Sequence, residues 1–221
     1  MPMPALDIQR ILLGAIPLLF AITLHEVAHG WTARIFGDRT AELAGRLTLN
    51  PIKHIDPVGT VVVPLMMFIF SGGQMMFGWA KPVPVAFQNL RNPRRDMITV
   101  AAAGPASNLL MATGWALVGA VQLSVFGLGG PVGSMVQIMW GYGILFNVIL
   151  AVFNMLPVPP LDGGRVLAGL LPPDMAMILH RIEPFGFLIV VALMITGILW
   201  TLLEPFMFFF IDLFSALAGL G

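Results

Sequence analysis

Residues 8–36 read IQRILLGAIPLLFAITLHEVAHGWTARIF, and between Arg10 and Arg34 the one formally charged side chain is Glu26. A helix needs about 20 apolar residues to cross the hydrocarbon core of a bilayer. This run supplies them and then stops at Gly37-Asp38. Glu26 lies inside His25-Glu26-Val27-Ala28-His29, an HExxH. On a helix, positions i and i+4 share a face, so both imidazoles can reach one metal ion while the glutamate sits beside the water such an ion activates. Ionisable residues at membrane depth are costly and rarely kept without a task. With four His and four Glu in the chain, a chance HExxH is expected on the order of once in a thousand. The competing explanation is two histidines hydrogen-bonded inside a helix bundle.

The rest of the composition agrees with that opening. Of 221 residues 58% are hydrophobic and 10% charged, with mean hydropathy +0.92. Soluble domains carry roughly 25% charged residues, so the pattern is that of an all-α polytopic membrane protein. Zero net charge argues against nucleic-acid binding. The absence of cysteine excludes disulfides, a thiol nucleophile and thiolate ligands, leaving imidazole and carboxylate for any metal. The N-terminus lacks the basic region and small-residue cleavage site of a removable leader.

About 4–6 transmembrane helices are expected, in a single domain over residues 1–221. The first span covers about Ile8–Phe36. In residues 40–50, Ala41, Leu43, Leu47 and Leu49 alternate with Glu42, Arg46 and Thr48, which predicts a short strand or β-hairpin. From Pro57 to Ala80 there are no charges, but the continuous apolar part, Val58–Phe70, has only 13 residues, and Pro64 and Ser71-Gly72-Gly73 interrupt the stretch. That is short for a crossing and points to a re-entrant segment. Gly78–Val85 reads as an extended loop, because the residue before each proline is pushed out of helix. Met97–Leu161 contains no Asp, Glu, Lys or Arg. Residues 127–131 divide it into spans at about Met97–Phe126 and Val132–Leu156. A further span is expected at about Pro184–Leu203, followed by a tail from Glu204 that either spans or lies at the interface.

A catalytic zinc usually has three protein ligands and an open position. His25 and His29 supply two. For the third, His180 lies in a charged stretch beside Arg181 and Glu183 and reads as a solvated surface histidine. His54 lies in a polar loop after the first span. Asp162 follows the proline-broken end of a span, where irregular backbone at membrane depth is tolerated only if it lines a cavity; its plain alternative is a helix-capping aspartate.

His25-Glu26-x-x-His29 in a first apolar helix, with Asn154-x-x-Pro157-x-Pro159-x-Leu161-Asp162-Gly163-Gly164-Arg165 about 130 residues later, resembles the site-2 protease family of intramembrane zinc metalloproteases. Gly104-Pro105-Ala106-Ser107-Asn108 and Asn50-Pro51…His54-Ile55-Asp56-Pro57 resemble its compact prokaryotic branch, which carries no PDZ or CBS domain. The resemblance covers about residues 8–185. It implies that Asp162 is the third Zn2+ ligand, Glu26 the catalytic acid–base, and Asn154 a substrate-binding residue. It also implies a transmembrane-helix protein as substrate, hydrolysed within or near the lipid bilayer of a prokaryotic inner membrane.

Span parity gives an independent expectation. The HExxH lies in the C-terminal part of one span and Asp162 just past the C-terminal end of another, so those spans must run in the same direction to meet. They do so only if residues 57–80 enter the membrane without crossing it. Ten of the eleven Lys and Arg then fall on one side, leaving Arg10 on the other, and the positive-inside rule makes that side cytoplasmic. The rival functions are a membrane metal-ion transporter, which does not require a glutamate in the general-base position, and a non-catalytic scaffold, which predicts a damaged motif. Serine and aspartyl chemistries lack their residues, since His25 and His29 are the histidines of the spans and the spans up to Leu161 hold no aspartate.

Overall fold

The computed structural model describes residues 8–70, 72, 78–127 and 130–220. The leader assessment at residues 1–7, part of the Ser71–Gly73 interruption and the centre of the 127–131 divider lie outside the described residues.

Three long helices form the centre. Helix α1 (Ile8–Ile35) has 28 residues, a length of about 42 Å. It ends where Gly37 takes φ 111° and Asp38 N–H reaches back to Ala33 O at 2.9 Å. This left-handed stop suits a residue without Cβ. Further along the chain, α4 (Pro93–Val125) and α5 (Gly130–Asn154) pack against α1 and against each other. The buried face of α4 repeats Val100, Gly104, Asn108, Ala112 and Ala116, four residues apart and mostly small. Small side chains let helix backbones approach closely where no hydrophobic effect drives association. Toward the other end of the bundle, Trp140, Ile144, Val148, Leu199, Leu203, Phe214 and Ala218 make an apolar core.

The segment between α1 and α4 departs from expectation in one respect. Among the described residues there is no strand, and residues 40–43 form a helical turn, α2 (Thr40–Leu43). The alternation there is not that of a half-buried strand: Ala41 is buried, but Leu43 is 81% and Leu49 60% exposed. Asp38 accepts from Thr40 N–H at 3.1 Å, and that local bond competes with an extended chain at the expected strand start.

After a π-type turn (Pro57–Val62) comes α3 (Val63–Phe70). Together they reach about 21 Å. Farther along, Trp79 N–H donates to Gly59 O at 3.0 Å and Thr60 Oγ1 donates to Trp79 O at 2.8 Å. The chain has therefore returned to where the segment began. Residues 78–86 then run as non-helical chain, as the prolines require.

After α5 come α6 (Asp162–Leu170), α7 (Pro173–Ile182), α8 (Gly186–Ile195) and α9 (Ile198–Leu217). The span expected at Pro184–Leu203 is corrected: Gly197, at φ 77°, breaks it. Five segments are long and apolar enough to cross a membrane, namely Gln9–Ile35, Pro93–Val125, Gly130–Asn154, Pro173–Ile195 and Ile198–Leu217. Glu204 and Asp212 thus sit inside α9 rather than in a separate tail. Gly186 packs on Pro159, whereas Ala218 reaches Gly119 toward the distal end of α4. The helices from 186 to 218 therefore carry the chain from one end of the bundle to the other.

Candidate metal centre

Helix α1 places His25 and His29 one turn apart on the face turned to α4. Their rings meet edge to face with centroids 4.7 Å apart. Room for them exists because α4 carries glycine opposite. A Cβ at Gly104 would lie 2.4 Å from His29 Nε2 and 2.7 Å from His25 Cε1. Asp162 arrives from the turn after α5. It is the first residue of α6, after Leu161 in the capping position, and no side-chain cap bond is made there. The plain capping role therefore does not account for it.

The three side chains converge. His25 Nε2 and His29 Nε2 lie 3.1 Å apart, and Asp162 Oδ2 is 3.2 Å from the first and 3.3 Å from the second. Among the described residues they are the group of three or more His, Cys, Asp or Glu side chains positioned to hold one ion. The far side of each ring explains what the near side offers. His25 Nδ1 is 2.6 Å from Asn108 Oδ1, and His29 Nδ1 is 2.7 Å from Val100 O. Both partners only accept, so each Nδ1 carries the proton and each Nε2 of a neutral ring presents a lone pair. Asp162 Oδ2 is buried with no hydrogen-bond partner. Three acceptors this close repel one another unless a cation lies between them. Their separations match the edge of about 3.3 Å that a tetrahedral ion with donors at about 2.0–2.1 Å requires. An imidazole–imidazole–carboxylate set without sulfur is among the standard donor sets of catalytic zinc.

Glu26 points to a different neighbour. Its Oε2 accepts from Val83 N–H at 2.7 Å. Pro82 and Pro84 have no N–H, so Val83 is the one donor in that tripeptide. This extended chain is tied down on either side: Lys81 N–H donates to His54 O, and Ala86 N–H to Asp38 Oδ2 at 2.8 Å. Asp38 is fully buried. Burial opposes its ionisation, but hydrogen bonds from Thr40, Ala86 N–H and Asn89 outweigh that and hold its carboxyl below the usual range.

The other candidates fall apart from this cluster. His54 is buried, 2% exposed, with Nε2 donating to Thr48 O at 2.9 Å, so its task is to fix the loop. His180 is exposed and sits 3.6 Å from Glu183. Asn154 closes α5 and donates its amide to Leu150 O at 2.9 Å. Three groups with no part in the sequence motifs also bear on the site, namely Asn147, the Val100 carbonyl and the Val83 N–H. Asn147 had a visible signal, a polar side chain inside a charge-free span; the two backbone groups had none.

A bundle of apolar helices enclosing a His-His-carboxylate site, with a glutamate beside it, defines a polytopic membrane metalloprotease. The model of peptidase family M50 matches residues 13–197. The chain is 37% identical over 213 residues to the "Putative zinc metalloprotease YwhC" of Bacillus subtilis, covering 91% of this chain and 90% of that protein. It is 33% identical over 198 residues to the likewise named Rip2 of Mycolicibacterium smegmatis, covering 88% and 71%. No solved structure matches the chain. The chain belongs to peptidase family M50, the site-2 protease family, and is an intramembrane zinc metalloprotease.

Proposed function

We propose that His25, His29 and Asp162 hold the zinc, that Glu26 is the catalytic acid–base, and that Asn154 positions the substrate. The substrate is a membrane protein whose transmembrane helix is cut, with the site facing the cytoplasm, and residues 1–221 act as one domain. The observation that carries this is the convergence of three lone-pair donors 3.1–3.3 Å apart, two of them with tautomers set from behind.

Zinc held there supplies Lewis acidity to the attacking water and the scissile carbonyl. Glu26, adjacent in sequence to a ligand, takes the proton of the attacking water. It later gives that proton to the leaving amine as the C–N bond breaks. A helical peptide bond has its carbonyl already hydrogen-bonded and hidden from water, so the substrate must unwind first. The chain at 81–85 offers backbone beside Glu26 to receive the unwound segment as an added strand. The Trp79–Gly59 bond supports a re-entrant rather than crossing course for residues 57–80. That course makes α1 and α5 parallel and places the basic residues on the side of the site.

Glu26→Gln tests the assignment. Purified in detergent, the variant is expected to retain zinc and thermal stability while cleavage of a model transmembrane substrate falls about a thousandfold or more. Turnover near the wild-type rate at equal zinc content would overturn it.

A further inference from the structure

Two fully buried asparagines lie behind His25, on different helices. Asn108 of α4 and Asn147 of α5 are each 0% exposed. Asn108 Oδ1 faces His25 Nδ1 at 2.6 Å. Its amide nitrogen donates twice, to Ala21 O at 3.2 Å and to Asn147 Oδ1 at 2.9 Å. Asn147 in turn donates to Gly143 O at 2.8 Å.

The direction of this chain is not free. Ala21 O and Gly143 O are backbone carbonyls and can only accept. They oblige both amides to turn their nitrogens toward them, so Asn108 must show its oxygen to His25. An amide turned over would set two acceptors against each other in a dry interior, where an unmatched polar group is costly. His29 needs no such device, because Val100 O does the same task from the backbone.

We propose that Asn108, locked by Asn147, is a positioning residue that fixes His25 in its Nδ1–H tautomer and aims the Nε2 lone pair at the metal. The relay joins all three central helices: α1 through Ala21 and His25, α4 through Asn108, and α5 through Asn147 and Gly143. It rests on the zinc assignment made above. Metal-ligating histidines characteristically donate their second N–H to such a partner, and loss of the partner costs about 10–100-fold in metal affinity.

The experiment uses the full-length protein in detergent with two readouts. Zinc affinity is measured by chelator competition. The His25 tautomer is read in the zinc-stripped protein from 15N-histidine spectra, with the His25 signals assigned by their loss in His25→Ala. Asn108→Ala is expected to weaken zinc by about 10–100-fold and to give His25 mixed tautomers. Asn147→Ala, which leaves the Asn108–His25 contact but unlocks it, is expected to do the same to a smaller degree. It also serves if Asn108→Ala does not fold. Gln122→Leu removes another buried amide, which bonds Gly133 O and Trp140 away from the site. It should lower thermal stability yet leave zinc affinity and tautomer unchanged.

Unchanged affinity and tautomer in folded Asn108→Ala or Asn147→Ala would overturn the relay while the zinc assignment stands. A Gln122→Leu variant that lost zinc as strongly would overturn it too, since the effect would then belong to any buried amide. Wild-type protein that binds no zinc would overturn the metal assignment itself, whatever its His25 tautomer.

Discussion

The two halves of the metal centre are built by opposite means. His25 and His29 stand on one long helix, where a spacing of four residues suffices to bring them together. Asp162 comes from the irregular turn between α5 and α6, and glycine makes its position possible. A Cβ at Gly163 would lie 2.2 Å from Met155 O and 2.4 Å from Leu156 O. At Gly186 a Cβ would lie 1.7 Å from Pro159 O, so α8 also closes on that turn backbone to backbone. One half is set by periodicity and survives small adjustments of packing. The other is set by direct backbone contact and does not.

The largest effect should come from breaking the second half. Gly163→Ala puts a methyl group against carbonyl oxygens that cannot rotate away. A destabilisation of about 3 kcal/mol or more is expected, together with loss of zinc. Thermal unfolding in detergent and zinc content per chain would show both. A variant that unfolds like wild type and keeps its zinc would remove the contrast.

Gly104→Ala probes the first half and should behave differently. Its methyl group would meet imidazole atoms, 2.4 Å from His29 Nε2 and 2.6 Å from His29 Cε1, and a side chain can swing aside. Zinc affinity is expected to fall about 10–100-fold, with the melting temperature within a few degrees of wild type. If Gly104→Ala and Gly163→Ala lose stability equally, the halves are not built differently after all.

The smallest effect belongs to Asp38, outside both halves. Its folded-state pKa lies below the unfolded value, so the stability it contributes is present above about pH 4 and is lost as pH falls through the folded pKa. Asp38→Asn should therefore melt about 5 °C lower near neutral pH. The gap should narrow on acidification below about pH 4. A gap that stays constant down to pH 2 would mean that the carboxylate charge contributes nothing there.

The same contrast explains what could be read from the sequence. The spans at α1, α4 and α5 follow from apolar length alone, and the HExxH follows from spacing on one of them. Asp162 was marked by its place after a proline-broken span end. The resemblance and the counting of crossings then made it the third ligand, because a capping aspartate can occupy the same kind of position. The short turn at Thr40–Leu43 was misread as a strand, since an alternation over so few residues also fits a helical turn with Ala41 inward and Leu43 outward. The break at Gly197 was passed over because a single glycine in an apolar run signals nothing until its φ is known. The backbone partners, Val100 O behind His29 and Val83 N–H on Glu26, carry no side-chain signature at all.

The Val83 contact fixes how the chain at 81–85 lies against Glu26. In Lys81-Pro82-Val83-Pro84, one N–H is flanked by two residues that have none. Sliding this chain by one residue in either direction would set a prolyl nitrogen against Glu26 in place of the Val83 N–H. The tripeptide thus acts as an index mark, permitting a single alignment of this chain with Glu26. Under the strand pairing proposed above, the distance from Glu26 to a substrate's scissile bond would be counted from Val83.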